Sequence, residues 1–116
     1  YPYDGALSEK LFAAASSIEE KVQMGGVYAA TQGPRLETVA EILRLEKDGC
    51  HVVGMTGMPE AVLARELNIP YACIALVVNP AAGKSEGVIT MDDIYLALEH
   101  GVSKVQKIIS AYLQQD

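Results

Sequence analysis

The chain has 116 residues, of which 50% are hydrophobic and 21% are charged, and this composition fits one globular α/β unit better than a disordered chain or two full domains. The net charge is −6 and the nine Lys and Arg residues are scattered singly, which argues against nucleic acid or an anionic membrane surface as a partner. We therefore expect the partner to be a small molecule.

The first fifty residues predict two helices around one strand. Asp4 can cap a first helix, because apolar residues recur after it at a spacing of three to four. Gly25 to Thr31 reads GGVYAAT, an apolar run that is typical of a buried strand. Thr38 and Glu41 then form a capping-box signature for a second helix, which we expect to run to Asp48 and stop at the following glycine.

The rest of the chain repeats this alternation. Residues 50–56, CHVVGMT, predict a second strand, and Pro59 suits the first turn of a helix that ends at Asn68. Tyr71 to Val78 predicts a third strand. Thr90 offers a cap for a long last helix. The predicted apolar face of that helix consists of Met91, Ile94, Tyr95, Leu98, Val102, Val105, Ile109 and Tyr112.

Strands that alternate with helices predict an α/β fold, with a mostly parallel sheet flanked by helices and residues 1–116 as a single unit. Ligands of open α/β sheets bind beyond the carboxyl ends of the strands. Here the predicted strands end in unusual segments, 31–38, 54–57 and 79–83. We therefore expect these three segments to converge on one site.

Two further features bear on the compartment. The longest apolar run, Tyr71 to Val78, is too short to cross a bilayer, and the opening residues do not resemble a signal peptide. Cys50 and Cys73 lack the spacing of a metal or redox pair, so reduced core thiols are expected. These features favour a cytoplasmic protein.

Each polar residue in the three segments has two interpretations at this stage. Glu37 is either a specific carboxylate or a solvated acid at a helix start, where negative charge is favoured. Thr56, between two glycines, either binds an anion such as phosphate or caps a helix. Asn79 is either a ligand-reading amide or a turn residue before proline. His51 and His100 are expected to be non-catalytic, and the sequence contains no nucleophile triad, phosphate-binding loop, dinucleotide fingerprint or metal-ligand set.

Three motifs carry a resemblance to a known family: GPRLETVAE from Gly33, VVGMTGMPEAVLARE from Val52 and VVNPAAG from Val77. In this order and spacing they resemble the carboxyl-terminal half of the trimeric purine nucleoside phosphorylase and methylthioadenosine phosphorylase family. The resemblance runs from Gly26 to the last helix. It implies the nucleoside phosphorylase fold, a homotrimer, and phosphorolysis of a purine nucleoside to the free base and a ribose 1-phosphate, with phosphate as co-substrate and without a cofactor or metal.

The resemblance also implies roles at the sugar and phosphate. Met55 would lie against the sugar with its backbone amide near the 2′-hydroxyl, and Thr56 would hydrogen-bond the attacking phosphate. Members that use ordinary 6-oxopurine nucleosides place a histidine near the 5′-hydroxyl, where this chain aligns Met91, with Tyr95 one turn on. A thioether suits a 5′-methylthio group and leaves a 5′-hydroxyl without a partner. The alternative is that Met91 is simply part of the helix core.

At the base, the resemblance implies that Asn79, with Pro80 and Ala81 beside it, faces N7 and the 6-substituent, and that Glu37 faces N1. Members that use 6-aminopurines carry aspartates at the positions of Asn79 and Ala81 and a serine at that of Glu37. Physically, Asn79 can donate to a 6-carbonyl while Glu37 accepts from a protonated N1, and adenine presents the opposite polarity at both atoms. Asn79 is therefore the predicted catalytic residue of a 6-oxopurine enzyme.

Together these readings predict S-methyl-5′-thioinosine as the substrate, cleaved to hypoxanthine and 5-methylthioribose 1-phosphate. Phosphorolysis of inosine or guanosine, or of methylthioadenosine, is the alternative within the enzyme class, and a non-catalytic purine-binding fragment is the alternative outside it. The family's other phosphate ligands have no counterpart in these residues. We therefore expect the isolated chain to be inactive and to require an amino-terminal half to complete the site.

Overall fold

The computed structural model describes residues 1–88 and 90–114, and within them the chain forms four helices and one two-stranded parallel sheet. The helices are α1 (Gly5–Ser17), α2 (Val39–Lys47), α3 (Glu60–Glu66) and α4 (Met91–Leu113), and the strands are β1 (Tyr28–Ala30) and β2 (Val52–Gly54). The order along the chain is α1, β1, α2, β2, α3, α4. The predicted α/β class with a parallel sheet is confirmed.

The helix starts follow the caps predicted from the sequence. The Asp4 carboxylate accepts from the backbone N–H of Leu7 at 2.7 Å and begins α1. At α2 both halves of the capping box are present, since Thr38 accepts from the Glu41 N–H and Glu41 accepts from the Thr38 N–H. Thr90 caps α4 in the same way. These local hydrogen bonds satisfy amide groups that have no partner inside the helix.

The two strands pair in parallel, with Tyr28 opposite Val52 and Ala30 opposite Gly54. Both are shorter than the predicted runs 25–31 and 50–56. Beyond β1, the Thr31 N–H continues the pairing by donating to the Gly54 carbonyl at 2.8 Å. The carboxyl ends of β1 and β2 therefore lie side by side, which places residues 31–38 next to residues 54–57.

The predicted third strand, Tyr71 to Val78, is wrong for this structure, since residues 71–78 form no β-ladder. Its recorded link to the backbone of another segment is a hydrogen bond from the Asp4 N–H to the Tyr71 carbonyl, at 2.7 Å. A strand exists only where a neighbouring strand offers its backbone groups, and the described residues supply none at this position. The segment packs instead on α4, where a side chain at Gly101 would overlap Leu76.

The apolar face predicted for α4 is partly wrong. Gly101 and Ile108 are the buried residues of this helix, and α1, whose buried residues are Ala14 and Ala15, packs on it. Part of the predicted inner face is exposed, namely Met91, Tyr95, Val102 and Ile109. The exposed residues form a stripe beside the buried one, because positions that differ by three, four or seven lie on one side of a helix. The apolar surface of α4 is thus wider than its contact with α1 and residues 71–78.

The described chain buries little apolar volume for its size. Its buried hydrophobic residues are Ala14, Ala15, Ala29, Ile42, Ala61, Ala64 and Ile108. The accessible surface is 8702 Å², whereas the scaling for compact monomers gives about 6,100 Å² at 12.4 kDa. The radius of gyration is 15.4 Å, against about 13.4 Å expected for a compact domain of 116 residues. These residues by themselves do not close a core of ordinary size.

The sequence predicted that its longest apolar run is too short to cross a bilayer and that both cysteines are reduced. Among the helices within residues 1–88 and 90–114, none has the length and apolar character needed to cross a membrane. Cys50 and Cys73 are both free thiols, as predicted. Cys73 is exposed, however, so its prediction as a core residue is wrong for this structure; in the part of the chain that is described, residues 71–78 pair with no neighbouring strand.

Candidate active site

Glu37 is held at the carboxyl end of β1. The Thr31 hydroxyl donates to Glu37 Oε1 at 2.6 Å, and both side chains are half-buried. Thr31 is itself fixed to the end of β2 through its backbone bond to Gly54. Glu37 is therefore a positioned carboxylate at the sheet edge rather than a fully solvated acid at the start of α2.

The loop that carries Glu37 is also clamped to α2. The Arg35 guanidinium donates to both carboxylate oxygens of Glu41, at 2.8 and 2.7 Å. The hydrogen bond from Arg35, followed by the one from the Thr38 backbone, lowers the pKa of Glu41 to about 2. Both the Arg35 and the Glu41 side chains are partly exposed. The ion pair and the capping box share one carboxylate, so the loop and the helix start form one hydrogen-bonded unit.

Met55 and Thr56 follow β2 and face this loop from the other side. A Cβ atom placed on Gly33, which has a φ of +64°, would lie 2.6 Å from Met55 Sδ. The Met55 thioether therefore packs directly on the loop backbone. The Thr56 N–H donates to the Tyr28 hydroxyl at 3.3 Å.

The structure excludes the alternative in which Thr56 caps α3. The N-cap of that helix is Pro59, and no side chain caps it. Thr56 is exposed, and within the described part of the chain no hydrogen bond to its hydroxyl is recorded. Its side chain is thus available to a ligand at the edge where Glu37 lies.

Asn79 is half-buried, and its side-chain amide donates to the carbonyl of the adjacent Pro80 at 2.8 Å. The loop that follows packs against α2: a Cβ atom on Gly83 would lie 2.8 Å from Val39 Cγ1. Val39 is the first residue of α2, two positions after Glu37. The third predicted segment, 79–83, therefore does reach the same end of the molecule, with Pro80 exposed and Ala81 half-buried.

Lys84 fixes the far end of that loop. Its ammonium group donates to Glu46 near the end of α2 at 2.6 Å, and its backbone N–H donates to the Ala81 carbonyl at 3.0 Å. Among residues 1–88 and 90–114, the hydrogen bond of the Asn79 side chain is the one to its neighbour Pro80, so no distant element fixes this amide.

The structure does not join Met91 and Tyr95 to these residues. Both are more than half exposed, at 58% and 62%, on the first turns of α4. Within residues 1–88 and 90–114, no hydrogen bond or ion pair links either side chain to the loops around Glu37 and Asn79. In the described chain the Met91 side chain lies on the exposed stripe of α4 and is not buried, so both interpretations of Met91 stay predictions.

Two residues near the site were not singled out from the sequence. Thr31 lies in a predicted segment, and its hydrogen bond to Glu37, across the five residues 32–36, is what gives it a role. Tyr28 places its ring over Gly54 and Gly57 and its hydroxyl beside Thr56. The position of Tyr28 in the predicted strand indicated that its side chain would be buried, but nothing in the sequence indicated its contact with Thr56. His51, by contrast, accepts from the Val27 N–H at 3.0 Å, a structural role at the strand start.

Comparisons with known proteins add to this geometry. The sequence model of the phosphorylase superfamily matches residues 1–114. A probable S-methyl-5′-thioinosine phosphorylase of Pseudomonas syringae pv. tomato is 61% identical over 113 residues, which are 97% of this chain and 46% of the relative. A probable 6-oxopurine nucleoside phosphorylase of Dictyoglomus turgidum is 40% identical over 112 residues, 97% of this chain and 42% of the relative.

Among solved structures, a methylthioadenosine phosphorylase from Schistosoma mansoni in complex with adenine superposes with a TM-score of 0.90 at 25% identity. The match covers 97% of this chain and 46% of that chain. The chain therefore spans about half the length of the relatives that it matches.

Proposed function

The chain belongs to the phosphorylase superfamily, and from that membership we propose that it is the carboxyl-terminal half of a purine nucleoside phosphorylase. The proposed reaction is phosphorolysis of S-methyl-5′-thioinosine to hypoxanthine and 5-methylthioribose 1-phosphate, a step of purine salvage. Inorganic phosphate is the co-substrate, and the reaction needs no cofactor or metal. The names of the relatives from Pseudomonas syringae and Dictyoglomus turgidum, one for methylthioinosine and one for 6-oxopurines, support this substrate class.

The observation that carries the 6-oxopurine proposal is the half-buried carboxylate of Glu37, held by Thr31 at the strand ends. A carboxylate only accepts hydrogen bonds, so it matches the protonated N1 of hypoxanthine and opposes the N1 lone pair of adenine. Asn79, on the loop that packs against the start of α2, supplies an NH₂ donor for the 6-carbonyl and N7. The donor and acceptor together read a 6-oxopurine.

Asn79 is also the proposed catalytic residue. As the glycosidic bond lengthens, negative charge accumulates on the purine and the sugar becomes oxocarbenium-like. A donor at N7 and O6 binds more tightly as that charge grows, so it stabilises the transition state more than the ground state. The Asn79 NH₂ group has two N–H donors, and because one of them bonds to the Pro80 carbonyl, the second is the one proposed to bond to the purine.

At the sugar, Met55 provides a thioether face and Thr56 provides a hydroxyl for phosphate. Phosphate held opposite the base needs mainly to be aligned with C1′. Met91 is proposed to contact the 5′-methylthio group, with Tyr95 one turn away. Both side chains are exposed on α4, which supports contacts with a group that the described residues do not themselves supply.

The large accessible surface of the chain supports the proposal that a second half of the protein packs against it. The accessible area exceeds the compact-monomer scaling by about 2,600 Å², and obligate interfaces bury about 1,000 to 2,500 Å² or more on each partner. We propose that residues 1–116 pack as one unit against the amino-terminal half of the same protein, in a cytoplasmic homotrimer that binds a purine nucleoside and phosphate.

Two other activities remain the alternatives. Inosine or guanosine phosphorolysis would fit the same base contacts with a 5′-hydroxyl sugar. Methylthioadenosine phosphorolysis is favoured by the name of the Schistosoma structure, but that protein is 25% identical to this chain, against 61% for the Pseudomonas relative. A non-catalytic purine-binding fragment is the alternative outside the enzyme class.

The test is a phosphate-dependence assay on the full-length protein. Incubation with S-methyl-5′-thioinosine should release hypoxanthine and 5-methylthioribose 1-phosphate only when inorganic phosphate is present, as followed by chromatography. Tight purine binding without release would support the non-catalytic alternative and contradict the proposal.

A first prediction concerns phosphate. Thr56→Val removes a hydroxyl that is proposed to bond a charged ligand, an interaction worth about 1.5 to 3 kcal/mol, so the phosphate KM should rise by at least about tenfold. The KM for the nucleoside should change much less. Thr56→Ser keeps the hydroxyl and serves as the control. An unchanged phosphate KM in the valine variant would remove Thr56 from the phosphate site.

A second prediction concerns the sugar. Met91→His offers a polar partner to a 5′-hydroxyl and removes apolar contact with a methylthio group. The ratio of kcat/KM for methylthioinosine over inosine should fall by about 10- to 200-fold, because one apolar contact discriminates by about 1 to 3 kcal/mol. Val102→His introduces the same side chain farther along the exposed stripe and should leave the ratio unchanged. Equal ratios in all three proteins would show that Met91 does not face the sugar.

A further inference from the structure

The hydroxyl of Thr31 has two acceptors within reach, and their distances differ. Glu37 Oε1 lies at 2.6 Å, at the short end of the range for a hydroxyl that donates to a carboxylate. The Gly54 carbonyl lies at 3.3 Å, beyond the usual range for O–H···O bonds. Because a hydroxyl has one proton and both groups only accept, the proton lies on the bond to Glu37.

The backbone and the side chain of Thr31 are both restricted, so its hydroxyl can hold another side chain in a fixed position. Its N–H donates to Gly54 at 2.8 Å and extends the pairing of β1 with β2 by one residue. Its branched Cβ restricts rotation about χ1. Glu37, in contrast, has a long side chain on a loop and would lose rotamer freedom on binding a ligand. The bond to Thr31 removes that freedom before any ligand arrives.

One carboxylate oxygen remains for a ligand. Thr31 bonds to Oε1, and within the described residues no hydrogen bond to Glu37 Oε2 is recorded. We propose, on the basis of the proposed function, that Thr31 is a positioning residue that fixes Glu37 so that its other oxygen accepts the N1 proton of a 6-oxopurine. Thr31 thereby sets the preference for 6-oxopurines over 6-aminopurines without touching the base.

The test uses Thr31→Val in the full-length protein, because valine keeps the shape of threonine and lacks the hydroxyl. The ratio of kcat/KM for methylthioinosine over methylthioadenosine should fall about tenfold, the factor that corresponds to 1.4 kcal/mol. Calorimetry should show hypoxanthine binding weakened by a similar factor, with the phosphate KM unchanged. Thr31→Ser keeps the donor and should restore the wild-type ratio.

A matched control removes a hydroxyl far from the site. The Ser17 hydroxyl donates to the Ala14 carbonyl at 2.7 Å near the end of α1, and Ser17→Ala should leave the ratio at its wild-type value. If Thr31→Val fails to fold, Thr31→Ala gives the same comparison.

The outcomes separate the two proposals. A purely structural role for Thr31 would lower the unfolding temperature and the rates on both nucleosides in parallel, with the ratio unchanged, and would overturn the inference while the phosphorylase function stands. A wild-type protein that cleaves neither nucleoside with phosphate would overturn the proposed function and this inference with it. A lowered ratio in the valine variant together with rescue by serine supports both.

Discussion

Asn79→Asp is expected to lower kcat/KM for S-methyl-5′-thioinosine by about 100-fold, because the only donor proposed for the 6-carbonyl becomes an acceptor. Two acceptors would then face each other at a half-buried position, where an unpaired polar group is costly. The rate on methylthioadenosine should fall far less, since its exocyclic amine can donate to the new carboxylate. The measurement is the ratio of kcat/KM for the two nucleosides in wild type and variant.

Two further variants sharpen this prediction. Combining Asn79→Asp with Glu37→Ser removes the carboxylate at N1, so the rate on methylthioadenosine should rise relative to the single variant. Asn68→Asp makes the same chemical change at an exposed residue beyond α3 and should leave the ratio unaltered. An unchanged ratio in Asn79→Asp would mean that the bond to Pro80 is the whole role of this side chain, as expected of a turn residue.

The largest expected effect is on the isolated chain. Residues 1–116 expressed alone should show no phosphorolysis, and should aggregate or unfold without a cooperative transition, because their largest exposed apolar side chains lack a covering surface. Met91, Tyr95 and Leu113 lie on one side of α4 and are each more than half exposed. Co-expression with the amino-terminal half of the same protein should recover both solubility and activity.

Calorimetry and size-exclusion chromatography check this directly. A monomer of residues 1–116 with a single cooperative unfolding transition would contradict the account of a half unit. Replacement of Leu113 and Tyr95 by polar residues offers a further comparison: it should improve the solubility of the isolated chain without giving it activity.

The parts of the fold that depend on neighbours in sequence were predictable. The capping boxes at Thr38 and Thr90 join residues three positions apart, so the pattern of side chains alone identifies them. The parallel pairing of β1 and β2 also followed, because a helix between two strands constrains the connection. These predictions needed no information about distant parts of the chain.

The parts that depend on distant partners were not predictable. The apolar run 71–78 has the composition of a strand, but its ladder requires backbone groups from another strand. The periodicity of α4 identified an apolar surface and could not say which part of it α1 and Leu76 cover. Because α4 carries more apolar residues than α1 and residues 71–78 cover, the predicted buried face was wider than the observed one.

The candidate site shows the same division. Glu37, Thr56 and Asn79 were identified from their positions after predicted strands, and the structure brings the three loops to one end of the molecule. The bond between Thr31 and Glu37 could not be read from the sequence, because it depends on the path of the loop between them. Similarly, no pattern indicated that the Asn79 amide would bond to Pro80.

The central claim is the identity of the nucleoside, and one comparison tests it most directly. Purified full-length protein should be assayed with saturating phosphate on S-methyl-5′-thioinosine, methylthioadenosine and inosine in parallel. The account predicts the highest kcat/KM for S-methyl-5′-thioinosine, by at least about tenfold over each of the others, since each differs from it by one recognised group worth about 1 to 3 kcal/mol or more. A higher kcat/KM for methylthioadenosine would contradict the base recognition assigned to Glu37 and Asn79, and a higher value for inosine would contradict the sugar contact assigned to Met91.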